Sequence, residues 1–212
     1  MKITEIEVIH LQIETAKPIQ DATIPKPTSE KGTRAQIFVN IYTDEGITGL
    51  GISYPSPGIQ EVIEKSLKPI LIGQDPTNIE KIWNEMYWQV RGFGRKGVAF
   101  CAISAVDIGL WDLKAKSVNL PLYKLLGPYQ ESVPVYGSGG WTNFTETELI
   151  KEMTDYVSDG IPRVKMKVGK DFGQSEREDI ARVAAVRKAV GDDVAIYIDA
   201  NNGYYKKQSI YM

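Results

Sequence analysis

The second half of the chain alternates short apolar segments with amphipathic ones, and this alternation limits the fold more than any other feature. Segments rich in β-branched residues recur about every thirty residues, with helical patterns between them. Strands separated in this way are joined by right-handed crossovers and lie parallel in one sheet. We therefore predict the first three β/α units of a (β/α) barrel, whose functional groups lie at the carboxyl ends of the strands. The predicted strands are Val133–Tyr136, Arg163–Val168 and Val194–Asp199, and the predicted helices are Glu146–Val157 and Glu176–Ala189.

Two of these predicted strands end in charged and polar residues that could act as a base or as a metal ligand. Lys165 and Lys167 lie two residues apart and share a strand face, as do Asp199 and Asn201. Neighbouring ammonium groups repel each other, and partial burial adds to this, so a lysine here can act as a base. A strand-end carboxylate is a hard oxygen ligand for a divalent metal ion. The alternative is that the lysines are solvated and that residues 199–203 form an ordinary turn.

The first half of the chain predicts an α+β domain in which strands precede helices. Asp44–Gly46 is a turn signal between apolar segments, which predicts a short antiparallel meander. The predicted strands are Ile3–Ile13, Arg34–Thr43 and Ile47–Ile52, and the predicted helices are Ile59–Leu71, Asn78–Val90 and Gly97–Ala115. Between the first two strands, Lys17–Gly32 lacks periodicity and predicts a long loop, either functional or disordered.

These segments resemble the mandelate racemase and muconate lactonizing branch of the enolase superfamily over essentially the whole chain. The resemblance implies an α+β capping domain in residues 1–130 and the truncated start of a TIM-type barrel in residues 131–212. It implies that Lys167 removes the proton alpha to a substrate carboxylate, while Lys165 lies beside that carboxylate and tunes its neighbour. It further implies that Asp199 is the first of three acidic Mg²⁺ ligands, in keeping with the lysine or histidine base and Mg²⁺ of this superfamily.

Other residues become candidate substrate contacts. Asn201 matches a polar residue near the substrate in the family, and Tyr136 and Ser138 lie at the end of the first predicted barrel strand. The resemblance also implies that the Lys17–Gly32 loop and the loop containing Tyr54 help to select the substrate. It favours a sugar-acid dehydratase, with racemase, epimerase or cycloisomerase activity as alternatives that begin with the same proton abstraction.

The length of the barrel portion sets a limit on this expectation. A complete barrel takes about 250 residues, far more than follow Val133 in a chain of 212 residues. The resemblance implies that two acidic ligands and a second acid–base group lie beyond Met212. We therefore expect this chain to be an incomplete, inactive form with weak or absent Mg²⁺ binding. The alternative of another class is a non-catalytic remnant that acts only as an assembly partner.

The composition limits the classes of partner that we expect the protein to bind. A net charge of −2 and a pI near 5.6 give no basic footprint for nucleic acid, which favours a small carboxylate substrate such as a sugar acid. The sequence has neither a long apolar segment nor the apolar core of a signal peptide, so we expect a cytoplasmic protein without membrane contact. The resemblance to the family also implies a homo-oligomer. Gly92–Gly97 fits the spacing of a dinucleotide-binding loop, but it follows a helical pattern and predicts a helix–helix connection.

Overall fold

The computed structural model describes residues 1–24, 26 and 29–212. Their internal contacts divide them into two units, the first comprising Met1–Glu14 with Thr33–Glu131, and the second comprising Thr15–Gly32 with Ser132–Met212. The segment between the first two strands therefore groups with the second unit, although the sequence places it within the first domain. This segment is irregular where it is described, and Pro25, Pro27 and Thr28 of the predicted loop lie outside the described residues.

The first unit contains a sheet whose strands are ordered β1-β2-β3, with β2 and β3 antiparallel. Alternate residues of β2 are buried, which is the period expected of a strand with one face on the core. Ile41 of β2 belongs to that core, together with Ile103 and Leu110 of the longest helix, α4. The strands are β1 (Ile3–Thr15), β2 (Gly32–Thr43) and β3 (Thr48–Ser53), and the helices are α1 (Pro57–Glu61), α2 (Lys68–Leu71), α3 (Ile79–Gln89), α4 (Val98–Ser117) and α5 (Leu122–Leu125).

Glycines let β3 approach α4 closely. A Cβ atom at Gly51 would collide with the main-chain carbonyl of Ala105, and one at Gly49 would collide with the carbonyl of Gly109. The predicted helices are present with small changes at their ends, except that a π-helical segment, Val62–Leu67, joins α1 to α2. The Gly92–Gly97 segment connects α3 to α4, which confirms the predicted helix–helix connection. Among the helices of the described residues, none is both long enough and apolar enough to cross a membrane.

The second unit contains a parallel sheet with the order β4-β5-β6. The predicted first strand is wrong in position, since Val133–Tyr136 belongs to no strand and β4 begins at Gly137. Pro134 has no N–H to donate to a sheet, which opposes pairing there. The strands are β4 (Gly137–Ser138), β5 (Arg163–Lys167) and β6 (Ala195–Asp199), and the helices are α6 (Glu146–Ser158), α7 (Lys170–Gly173), α8 (Glu176–Val190) and α9 (Lys206–Tyr211).

The two faces of β5 differ in chemistry. Val164 and Met166 are fully buried in a cluster with apolar residues of α6 and α8. Lys165 and Lys167 point to the opposite face, because successive strand side chains alternate. Helix α6 begins at a capping box formed by Thr145 and Glu148, which satisfies backbone N–H groups of its first turn. The two units together give the predicted fold class, an α+β capping domain followed by part of a (β/α) barrel.

Candidate active site

The register of the parallel sheet brings the predicted strand-end groups together. Lys167 pairs with Asp199 across β5 and β6, and Ser138 pairs with Lys165 across β4 and β5. The Nζ of Lys167 donates a hydrogen bond of 2.6 Å to Asp199 Oδ2 and another to Asn201 Oδ1. The Nζ of Lys165 lies 3.3 Å from the same Asp199 oxygen. The predicted juxtaposition of two lysines, one aspartate and one asparagine is therefore present.

Burial and neighbouring charges shift the pKa values of Lys165 and Asp199 in this cluster. The side chains of Lys167 and Lys165 are 9% and 11% exposed, whereas that of Asp199 is 37% exposed. Burial, followed by repulsion from Lys167, lowers the pKa of Lys165 below its ordinary value, although Asp199 opposes the change. Burial alone would raise the pKa of Asp199, but hydrogen bonds from Lys167 and from the Asn201 N–H lower it overall. Two ammonium groups thus share one carboxylate, which leaves the site with an excess positive charge suited to an anion.

The described residues only partly fit a magnesium ion. Mg²⁺ requires near-octahedral oxygen coordination. Among these residues, no group of three or more His, Cys, Asp or Glu side chains is placed to hold a metal ion. Asp199 Oδ2 accepts from both lysines, and Oδ1 accepts from the Asn201 N–H at 3.0 Å. The described part of the chain therefore offers one candidate ligand rather than a complete Mg²⁺ site.

The other predicted contacts lie in different places. Ser138 shares the lysine face of the sheet, and its carbonyl accepts a hydrogen bond from Tyr156 of α6. Tyr136 precedes β4, and its ring packs edge-on against Tyr197 with 5.6 Å between centroids. Tyr54 follows β3 in the first unit and is 75% exposed. Its role, like those of Tyr136 and Ser138, stays a prediction.

The described part of the Lys17–Gly32 segment contacts the loops at the strand ends of the second unit. The Gln20 carbonyl accepts from the N–H and hydroxyl of Thr142, at 2.8 and 2.9 Å. Lys17 forms an ion pair of 2.5 Å with Glu148. The part of the predicted loop that the structure describes is thus bound to the chain that follows β4. It reaches the strand-end loops as well, because a Cβ at Gly169 would lie 3.1 Å from the Ala22 side chain.

Sequence reasoning missed Trp141. Its ring centroid lies 5.6 Å from Lys167 Nζ, within the range of a cation–π interaction. The signal available in the sequence was a tryptophan directly after two glycines, in the segment that follows the predicted strand Val133–Tyr136, a region where a barrel places functional groups.

The fold and the strand-end cluster define a class: an α+β capping domain followed by barrel units that carry a Lys-x-Lys pair and an aspartate on adjacent strands. Two family models match the chain in the same order. Mandelate racemase / muconate lactonizing enzyme, N-terminal domain, matches residues 4–127, and Enolase C-terminal domain-like matches residues 148–212. The chain belongs to the mandelate racemase and muconate lactonizing enzyme family of the enolase superfamily.

Two of the relatives that the chain matches are sugar-acid dehydratases. The chain is 36% identical to an arabinonate dehydratase of Saccharolobus solfataricus over 99% of this chain and 57% of that relative. It is 37% identical to an L-talarate/galactarate dehydratase of Salmonella typhimurium over 93% of this chain and 50% of the relative. A crystal structure of the latter enzyme, liganded with Mg and L-lyxarohydroxamate, superposes with a TM-score of 0.88 and 32% identity, covering 100% of this chain and 55% of that one. Cycloisomerases and a racemase also match. The chain spans about half the length of these dehydratases.

Proposed function

We propose that the protein removes the proton alpha to the carboxylate of a sugar acid, and that this proton abstraction leads to dehydration. The observation that carries the proposal is the convergence of two buried ammonium groups and one carboxylate at the ends of β5 and β6. Removing a proton alpha to a carboxylate creates additional negative charge. Preorganised positive groups in a shielded site stabilise that charge, which is the main electrostatic requirement of the reaction.

In this proposal Lys167 is the base and Lys165 lies beside the substrate carboxylate. Lys167 must be neutral to accept a proton, and in the structure it is paired with Asp199. Release of Asp199 from the lysines leaves two ammonium groups without a counter-charge, and their repulsion favours loss of one proton from the pair. Because the pKa of Lys165 is already lowered, the reverse assignment, with Lys165 as the base, is the alternative that an experiment must separate.

Asn201 has a supporting role in the proposal. Its side-chain carbonyl accepts from Lys167, so it fixes the position of the Nζ atom, and its amide N–H₂ remains able to donate to a substrate hydroxyl. We propose that Asp199 contributes one ligand to Mg²⁺, because structures of relatives contain Mg. The described residues hold one such ligand, so we expect weak Mg²⁺ binding by these residues alone.

Dehydration is preferred because the two dehydratases resemble more than nine-tenths of the chain at 36–37% identity. Racemisation and cycloisomerisation begin with the same proton abstraction, and relatives with those activities also match.

A non-catalytic role in assembly is the second candidate function, and a different observation favours it. Among the described residues, Ile198 of β6 lines an open apolar groove with Val168, Ile180 and Met212. Such a groove can receive a partner without any chemistry.

The proposal is tested with the protein expressed from its full open reading frame. Arabinonate, galactarate and talarate are incubated with the protein and Mg²⁺, and dehydration is followed directly. We expect Lys167→Met to lower turnover by a factor of about 10² to 10⁴, the range for loss of a general base. Lys170→Met, three residues along the chain, should retain most of the activity. Full turnover by Lys167→Met would reject Lys167 as the base, and a larger loss in Lys165→Met would favour the reverse assignment.

A further inference from the structure

Two charged side chains of α8 are buried outside the lysine cluster. Asp179 has no exposed surface, and Arg182 is almost fully buried. Burying a charge is expensive unless the charge is paired and hydrogen-bonded. Apolar residues would serve packing alone at least as well, so the hydrogen-bond partners of these two side chains indicate what they contribute.

Arg182 binds the loop that follows β4. Its guanidinium donates to the main-chain carbonyls of Phe144 at 2.8 Å, Trp141 at 2.9 Å and Gly140 at 3.3 Å. The Gly140 carbonyl also accepts the main-chain N–H of Lys167 at 3.0 Å. One side chain therefore fixes both the turn that carries Trp141 and a backbone acceptor of Lys167.

Asp179 binds the loops that follow β5 and β6. Its Oδ2 accepts from the main-chain N–H groups of Gly169 at 2.9 Å and Lys170 at 3.2 Å. The hydroxyl of Tyr204, which lies beyond the end of β6, donates to the same oxygen at 2.7 Å. Burial and this hydrogen bond raise the pKa of Tyr204, so its hydroxyl keeps its proton as a donor. Asp179 thus joins the second and third strand-end loops.

Resting on the proposed function, we propose that Asp179 and Arg182 are positioning residues that hold all three strand-end loops and so fix Lys167 relative to its neighbours. The two residues lie three positions apart, on one face of α8. Lys167 is followed within two residues by the Gly169 N–H that binds Asp179. The carboxyl end of β5 is therefore held from the β4 side through Arg182 and from the β6 side through Asp179.

Helix α8 supplies a matched control. Arg187 also donates to main-chain carbonyls, those of Gly191 at 2.5 Å and Val194 at 2.7 Å. These carbonyls precede β6 and so lie at the opposite end of the sheet from the lysine cluster. Arg182→Lys and Arg187→Lys make the same chemical change on one helix, one toward the cluster and one away from it.

The first test measures the loops directly. Amide hydrogen exchange is recorded for Lys167 and Gly169, and ¹⁹F NMR is recorded on protein labelled with 5-fluorotryptophan. We expect Arg182→Lys to speed exchange at Lys167 by about tenfold, the effect of losing one net hydrogen bond, and to shift the Trp141 resonance. Asp179→Asn should speed exchange at Gly169, and Tyr204→Phe should do so to a smaller extent while preserving the fold. Arg187→Lys should change none of these signals. Unchanged exchange and an unchanged Trp141 resonance in Arg182→Lys and Tyr204→Phe would overturn the proposal.

The second test separates positioning from simple stability. In the protein expressed from its full open reading frame, we expect Tyr204→Phe and Arg182→Lys to lower kcat about tenfold with little change in KM, because a misplaced base affects the reaction more than substrate binding. Loosened loops with normal kcat would overturn the positioning role. A fully active Lys167→Met protein would instead reject Lys167 as the base of the proposed function, while the exchange and ¹⁹F signals would still report on the loops.

Discussion

The central strand of the first unit and the edge strand of the second use similar residues in different ways. Ile41 of β2 is 0% exposed, whereas Ile198 of β6 is 49% exposed. In the first unit α4 packs along the sheet, and close contact at Gly51 leaves no space between them. In the second unit β6 has one strand neighbour among the described residues. Among the described residues, the apolar core around β2 is thus closed, and the core beside β6 is open along one edge.

Buried charge shows the opposite distribution. Among the described residues, the most deeply buried charged side chains all belong to the second unit: Asp21, Lys167, Asp179 and Arg182. Desolvated charges lower stability unless they are fully paired, and they are also what a proton-transfer site requires. Among the described residues, the first unit therefore buries apolar side chains, while the second buries charged side chains as well.

The largest expected effect tests the difference in packing between Ile41 of β2 and Ile198 of β6. Ile41→Ala should lower the free energy of unfolding by about 2–5 kcal/mol, because it leaves a cavity in a closed core. Ile198→Ala makes the same change on a half-exposed strand residue and should cost less than about 1 kcal/mol. Urea denaturation of both variants measures the difference. Equal losses would show that the two cores are equally closed.

A smaller effect tests the close approach of β3 to α4. Gly51→Ala places a methyl group against the Ala105 carbonyl and should lower stability by about 1–3 kcal/mol. Gly92→Ala is the control, since no described atom lies within 4 Å of its Cβ position. Its effect should stay within about 0.5 kcal/mol. Thermal unfolding measures both, and tolerance of Gly51→Ala would mean that the two elements can separate at little cost.

The third prediction concerns the charge that the second unit buries. Lys165→Met replaces a desolvated ammonium group beside Lys167 with an apolar side chain and should raise stability by about 1 kcal/mol. Lys151→Met removes an exposed lysine that pairs with Asp155 and should change little. Urea denaturation at neutral pH compares them. A stability loss in Lys165→Met would contradict the claim that this charge is held at a cost.

The smallest effect concerns the ion pair of Lys17 with Glu148. The Lys17 ammonium and the Thr145 N–H and hydroxyl lower the pKa of Glu148 from 4.5 to about 2. A carboxylate with a lowered folded-state pKa stabilises the fold above its usual pKa and loses that contribution as the pH falls through the lowered value. Carboxyl ¹³C NMR should therefore show a Glu148 midpoint near 2, and Lys17→Met should move it toward 4.5. An unchanged midpoint would mean that the pair does not form in solution.

Much of the site was predictable because it depends on local rules. The two-residue period of a strand places Lys165 and Lys167 on one face, and parallel crossovers bring Asp199 to the same edge of the sheet. The first barrel strand was misplaced because Val133–Tyr136 has the composition of a strand, while pairing with β5 is decided by register. Composition does not encode register.

The positioning network was not predictable in the same way. Asp179, Arg182 and Tyr204 stand in ordinary helix and turn sequences, and nothing in their spacing identifies their partners. Their proposed role depends on tertiary hydrogen bonds that join residues 9 to 42 positions apart. The association of residues 15–24 with the second unit is likewise a tertiary property, set by hydrogen bonds such as that of Thr142 with Gln20.

The proposed role of Lys167 is to exchange a proton with the carbon alpha to a substrate carboxylate. Its most direct measurement is ¹H NMR of galactarate or arabinonate in D₂O, with the protein expressed from its full open reading frame. We expect the alpha-proton signal to be lost with the parent protein and with Lys170→Met, and to persist with Lys167→Met. Loss of the signal at the parent rate in Lys167→Met would contradict the proposed role of Lys167, because another group would then be the base.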